Sequence, residues 1–189
     1  MLAVRRHEQR LAMIPRVAMV TAAAHRCGKQ LVRDLAKDGF DVAVCSLALL
    51  KSRVKTVESL GRRACALRLL TSYPPSAAKV VDDVHRLLGR VHALIHIDGD
   101  STIVSDGSLD ATTAAALPDL VECGGTVVFL FEHAITELPR VSRGVNVVAL
   151  SILGKCSSPE ICSATMRLLR EGVGGAFVLA AGRSVERAV

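Results

Sequence analysis

Side chains with chemistry to offer gather at three places: Thr21-Ala22-Ala23-Ala24-His25-Arg26-Cys27-Gly28, His96 with Asp98, and Glu132 with His133. The first is a turn of small residues between the apolar run Val17-Ala18-Met19-Val20 and a segment with Leu31, Val32 and Leu35 at helical spacing. A strand, turn and helix of this kind point the unpaired amides of the helix N-terminus at the place where a dinucleotide pyrophosphate would sit. Glycines in such a turn let the backbone approach the phosphate, and here only Gly28 remains. His96, His133 and Glu132 are side-chain types that move protons near neutral pH. The sequence favours the plainer reading of them as polar residues at loop mouths. A metal site from His96, Asp98 and His133 matches no compact ligand spacing.

The elements that must position these residues alternate along the chain. After the opening unit, Asp41–Ser46 reads as a second strand and Val54–Leu60 as a helix with Val54, Val57 and Leu60 inward. Ala64–Leu70 reads as a third strand, Ser76–Leu88 as a helix lined by Val80, Val81, Val84, Leu87 and Leu88, and Ala93–Ile97 as a fourth strand. A polar stretch leads to a helix from Leu109 to Val121 that Pro118 should shorten or kink. Gly125–Phe131, Gly144–Leu150 and Ala176–Ala180 are strands five to seven. Before the last, Ser157 or Ser158 caps a helix begun by Pro159 and Glu160. Strands alternating with helices require a parallel sheet with helices on both faces.

Composition agrees. Half of the 189 residues are apolar and 3% are aromatic, so Val, Leu and Ala must fill the core. No apolar run approaches the roughly 18 residues of a membrane span, which implies a soluble, cytoplasmic protein with no membrane partner. The cysteines (Cys27, Cys45, Cys65, Cys123, Cys156, Cys162) form no CxxC pair and read as buried thiols. The net charge of +6 is spread along the chain and suits a solvated surface better than an RNA site, since few aromatics are present to stack on bases. Residues 1–15 form a basic tail or a targeting segment, mitochondrial in the latter case, ahead of one domain over 16–189.

Thr21–Gly28 resembles the TGxxxGxG turn of short-chain dehydrogenases/reductases, and more closely the TGAAKRLG turn of the pteridine reductases in that family, whose arginine matches Arg26. GRVHALIHIDG resembles the family's GRVDILVNNAG, RGVNVVAL its sixth strand, and SPEICSATMRLLREGVGGAFVLAAGRS its last helix and strand. The resemblance extends from about Arg16 to the C-terminus. It implies a Rossmann-like doubly wound sheet of about seven parallel strands in the order 3-2-1-4-5-6-7, a three-layer sandwich with shortened helices around strands four to six.

The same resemblance places a dinucleotide against Thr21, Ala22, His25, Arg26, Cys27, Gly28, Ser46 and Gly99. An NAD-selective member would carry an acid where strand two ends at Ser46, and Arg26, Lys51 and Arg53 lie near enough in sequence to meet a 2′-phosphate, so NADP(H) is the implied cofactor. The family's chemistry-bearing positions are replaced. Leu70 stands for the Asp near the adenine, His96-Ile97-Asp98-Gly99 for Asn-Asn-Ala-Gly, Glu132 for the catalytic Ser, Leu150-Ser151 for Pro-Gly, and Ala180-Ala181 for Asp-Gly.

The family's Tyr-x-x-x-Lys pair belongs between strands five and six, where HAITELPRVSR holds neither residue, and the chain's single tyrosine is Tyr73. A carbonyl accepts hydride poorly without an acid to meet the developing charge. The sequence therefore implies a pseudoenzyme serving as a binding or structural subunit, with a partner protein covering apolar surface left near strands five and six. The alternative is an NADPH-dependent reductase whose acid is rebuilt from His96, His133 or Glu132.

Overall fold

The computed structural model describes residues 15–69, 74–97, 111–134, 141, 143–181 and 183–188. Residues 1–14 of the basic segment, Leu70, Tyr73, Asp98 and Gly99, and most of HAITELPRVSR lie outside them.

Among the described residues one sheet runs in the order β3-β2-β1-β4-β5-β6-β7-β8. Its strands are β1 (Arg16–Thr21), β2 (Phe40–Ser46), β3 (Ala64–Arg68), β4 (Val91–Ile97), β5 (Thr126–Phe131), β6 (Asn146–Leu153), β7 (Gly175–Ala180) and β8 (Glu186–Arg187). All neighbours from β3 to β7 are parallel, as expected. The short β8, which no sequence pattern marks, pairs antiparallel with β7. Helices α1 (Gly28–Lys37), α2 (Lys51–Glu58), α3 (Pro74–Leu87), α4 (Ala111–Cys123) and α5 (Ser158–Glu171) complete the fold.

Period-two alternation divides the core between the sheet's two faces. Ala18 and Val20 of β1 and Ala93, Ile95 and Ile97 of β4 pack with Leu31, Val32 and Leu35 of α1 and Ile161 and Leu168 of α5. Val17, Met19, Leu94, Phe129 and Phe131 face the other way, onto Val80, Val81 and Val84 of α3 and Ala116 and Leu120 of α4. Each buried Val, Leu, Ile, Phe or Met side chain contributes roughly 1.5–3 kcal/mol relative to exposure, and burial on both faces makes the sheet the middle of three layers.

The local signals for α5 act as expected. Ser157 caps it, its Oγ accepting from the Glu160 amide at 3.4 Å while its own amide donates to Glu160 Oε2 at 2.6 Å, a reciprocal capping box. Gly172 ends the helix with φ of 62°, in the left-handed region.

Several expectations need correction. α2 turns only Val57 fully inward; Val54 is half-buried and Leu60 exposed, because the helix starts at Lys51 and ends at Glu58. Leu87 is likewise exposed while Leu88, just beyond α3, is buried. α4 continues through Pro118 to Cys123. β6 does not stop at Leu150: Ser151, Ile152 and Leu153 stay paired with Val178, Leu179 and Ala180 of β7, so Ser151 lies inside the strand. Phe129 and Phe131 of β5 and Ala149 of β6 are buried in the cluster containing Ala116 and Leu120 of α4. The described residues between β5 and β6 (132–134, 141 and 143–145) contain no helix. All six cysteines are free, four of them buried.

Candidate functional site

The sheet reverses its order between β1 and β4, and the crevice at the carboxyl ends of those strands is where an open parallel sheet binds ligands. β1 ends at Thr21 and the chain turns at Ala22, whose φ of 46° lies in the left-handed region that favours glycine. Backbone bonds hold it there: the Ala23 amide donates to Cys45 O at 3.0 Å, His25 to Ala22 O at 2.9 Å, and Gly28 to His25 O at 3.0 Å. A non-glycine residue in this conformation stores about 1 kcal/mol or more. Gly28 is demanded by packing. A Cβ there would meet Ala23 O at 2.3 Å and Arg53 Nη1 at 2.6 Å.

Arg53 reaches the turn from α2, Nη2 donating to Ala24 O at 3.4 Å, and burial pulls its guanidinium below the usual range. Its Nη1 is buried without a hydrogen-bond partner among the described residues. Ser46 ends β2 and spends its hydroxyl on Ala48 O, while Lys51 opens α2 on the exposed surface.

The first residue beyond β5 is Glu132, and it closes onto the turn. Its Oε1 lies 3.1 Å from Arg26 Nη2, 3.4 Å from Arg26 Nε and 3.4 Å from His25 Nε2. Arg26 Nη1 donates to Cys156 O at 2.7 Å, so one guanidinium ties together the turn, the end of β5 and the loop before α5. Both partners remain about half exposed, at 44% for Arg26 and 51% for Glu132. His25 Nδ1 stands 3.3 Å from Cys27 Sγ. That pair does not make a thiolate nucleophile, because Cys27 is buried and burial pushes its thiol up.

His96 is not at a loop mouth. It is fully buried in β4, Nδ1 3.1 Å from Thr21 Oγ1 and Nε2 2.8 Å from Thr113 Oγ1 of α4, with its ring stacked on Phe129 at 5.1 Å. Phe129 stacks on Phe131 at 6.2 Å, and Phe131 meets the His133 ring edge-on at 5.5 Å. Two phenylalanine rings thus separate the two histidines that sequence reasoning grouped. The structure brings together His25, Arg26 and Glu132, and Thr21 with His96; it does not unite His96 with Glu132 in one acid–base set. Thr113 was missed, and nothing local to it marks its role. Among the described residues no three His, Cys, Asp or Glu side chains are grouped to hold a metal ion.

The profile of the short chain dehydrogenases matches residues 16–163. This chain belongs to the short-chain dehydrogenase family. It is 30% identical over 159 residues to a short-chain dehydrogenase/reductase of Hericium erinaceus, taking in 78% of this chain and 60% of the relative. One from Armillaria gallica is 29% identical over 150 residues, 76% of this chain and 56% of the other. The chain therefore spans less than two thirds of the length of these relatives. Acetoin dehydrogenase from Enterobacter cloacae shares the fold at a TM-score of 0.72 and 20% identity, over 90% of this chain and 96% of that one. Acetoin dehydrogenase YohF from Salmonella typhimurium does so at 0.72 and 18%, over 91% and 100%. Family members usually bind NAD(P)H. No helix among the described residues is long and apolar enough to cross a membrane.

Proposed function

We propose that this member of the short-chain dehydrogenase family is catalytically degenerate, a pteridine reductase-like domain acting as a binding or structural subunit for another protein chain. What carries the reading is the commitment of its acid–base side chains to bonds within the fold. Glu132, at the position matching the family's catalytic serine, is engaged by Arg26 and His25. His96, at the first position of the family's Asn-Asn-Ala-Gly, is enclosed between two threonines and a phenylalanine. HAITELPRVSR supplies neither tyrosine nor lysine. Without the family's tyrosine as proton donor, hydride transfer to a carbonyl or imine loses the acid that meets the charge it creates.

The residues present fit a dinucleotide better than they fit catalysis. Ala22 keeps a glycine-like backbone, Gly28 keeps the close approach, and Arg53 carries a buried donor beside the turn that has no partner among the described residues. Thr21, Ala22, His25, Arg26, Cys27, Gly28, Ser46 and Gly99 would hold the group. With Ser46 rather than an acid at the end of β2, NADP(H) is favoured over NAD(H). When bound, the nicotinamide supplies a hydride.

A second reading, an NADPH-dependent reductase with a rearranged site, draws on the 3.4 Å contact between His25 and Glu132, a proton-transfer pair at the mouth of the crevice. Calorimetric titration with NADPH and NADH, followed by NADPH oxidation across carbonyl and pterin substrates, separates the two. Binding without oxidation is expected. Saturable oxidation that disappears in His25→Ala would establish the second.

A further inference from the structure

We infer that Glu132 is an internal anion that occupies Arg26 in place of a ligand phosphate, so that the crevice admits a phosphorylated ligand only when this contact opens. The inference rests on the reading of the turn as a dinucleotide-type phosphate site, and it assigns Glu132 the part of an occupancy-determining residue. The guanidinium of Arg26 has one edge on Cys156 O and presents Nε and Nη2 to a single carboxylate oxygen. A phosphate oxygen is recognised by that same donor edge. His25, beside Arg26 in the turn, adds a third contact to the same oxygen. The carboxylate thus bridges β1's turn to the end of β5, across the mouth through which a ligand lying on the turn must extend.

Two effects oppose an incoming phosphate. Arg26 must first release Glu132, and the freed carboxylate then stands as a like charge beside the phosphate. Both partners are half exposed, so water screens each effect and the contact can open without disturbing the core. That exposure distinguishes it from the His96 network, whose opening would break buried bonds.

The test is calorimetric titration of the full chain, at fixed low salt, with NADPH and separately with inorganic pyrophosphate. Glu132→Gln, Glu132→Ser and the double variant Glu132→Gln/Arg26→Ala are measured beside the wild type, with circular dichroism to confirm folding. Glu132→Gln should bind one or both ligands about threefold to tenfold more tightly, the range available from releasing one exposed ion pair and one repulsion. Glu132→Ser should gain similarly, and the double variant should lose the gain. If pyrophosphate binding tightens while no variant binds NADPH, the inference stands and the dinucleotide reading falls. If the folded single variants bind both ligands no better than the wild type, the inference is overturned, whatever the wild type's own affinity for NADPH.

Discussion

The turn after β1 and the rim of β4 and β5 lie at the same sheet edge, yet one is built from main chain and the other from side chains. The turn's geometry is written in backbone. Ala22 holds a left-handed φ, Gly28 leaves no space for a side chain, and amide bonds from Ala23, His25 and Gly28 close the loop. The rim's chemistry would have to be written in side chains, and those present bond to one another. His96 is enclosed by Thr21 and Thr113, Glu132 is tied to Arg26 and His25, and His133 rests against Phe131. A shape carried by main chain tolerates side-chain substitution, because neighbouring strands impose it, whereas a proton donor lasts only as long as its own side chain.

The contrast can be broken at either region, and the largest effect is expected at the rim's buried end. His96→Ala should destabilise the protein by about 3 kcal/mol, through the cavity beside Phe129 and two threonine hydroxyls that lose a partner. Urea unfolding monitored by circular dichroism measures it, and a loss below about 1 kcal/mol would place His96 outside the structural core.

At the turn, Gly28→Ala should cost about 2 kcal/mol, since its Cβ would press on the Ala23 carbonyl and the Arg53 guanidinium. A thermal shift of roughly 4–8 °C follows for a chain of this size. Ala22→Gly acts in the opposite sense. It relieves the left-handed φ, and the added freedom of the unfolded chain offsets part of that relief, leaving a gain of up to about 1 kcal/mol.

The thiols make stability depend on pH. Burial, the largest cause, pushes Cys162 up to about 12 and Cys65 up to about 11 from an ordinary value of 9.0, and raises Cys45 as well. The folded state therefore holds these protons after the unfolded chain has released them. Their stabilising contribution is complete below about pH 9 and is lost as pH rises toward the folded values. Unfolding midpoints should fall across that window, and Cys162→Ala should flatten the fall.

Much of the fold was legible because its periods are strong. Leu31, Val32 and Leu35 announced α1, the Ser157-Pro159-Glu160 signature placed α5, and the alternation of elements required the parallel order that the sheet adopts. β8 was not legible: two charged residues, Glu186 and Arg187, carry no strand period and pair only because β7 offers an edge. β6 ran on past Leu150 because β5 supplies a partner for Ser151 and β7 supplies partners as far as Leu153.

The site was legible at the turn, which is local in sequence. His96 was misplaced for a different reason. It sits two residues after Leu94 and so on the same sheet face, and the register that sets Thr21 against it cannot be read from either strand alone. The contact between Arg26 and Glu132 joins residues 106 apart, which no spacing rule reaches.

The central question is whether side chains at the rim perform chemistry. The most direct measurement is NADPH oxidation by the purified full chain across a panel of carbonyl and pterin substrates, compared with a protein-free control. No rate above that control is expected for the wild type or for Glu132→Ser. A rate that saturates with substrate in the wild type and is abolished by Glu132→Gln would contradict the account and make the Glu132 contact part of a working active site.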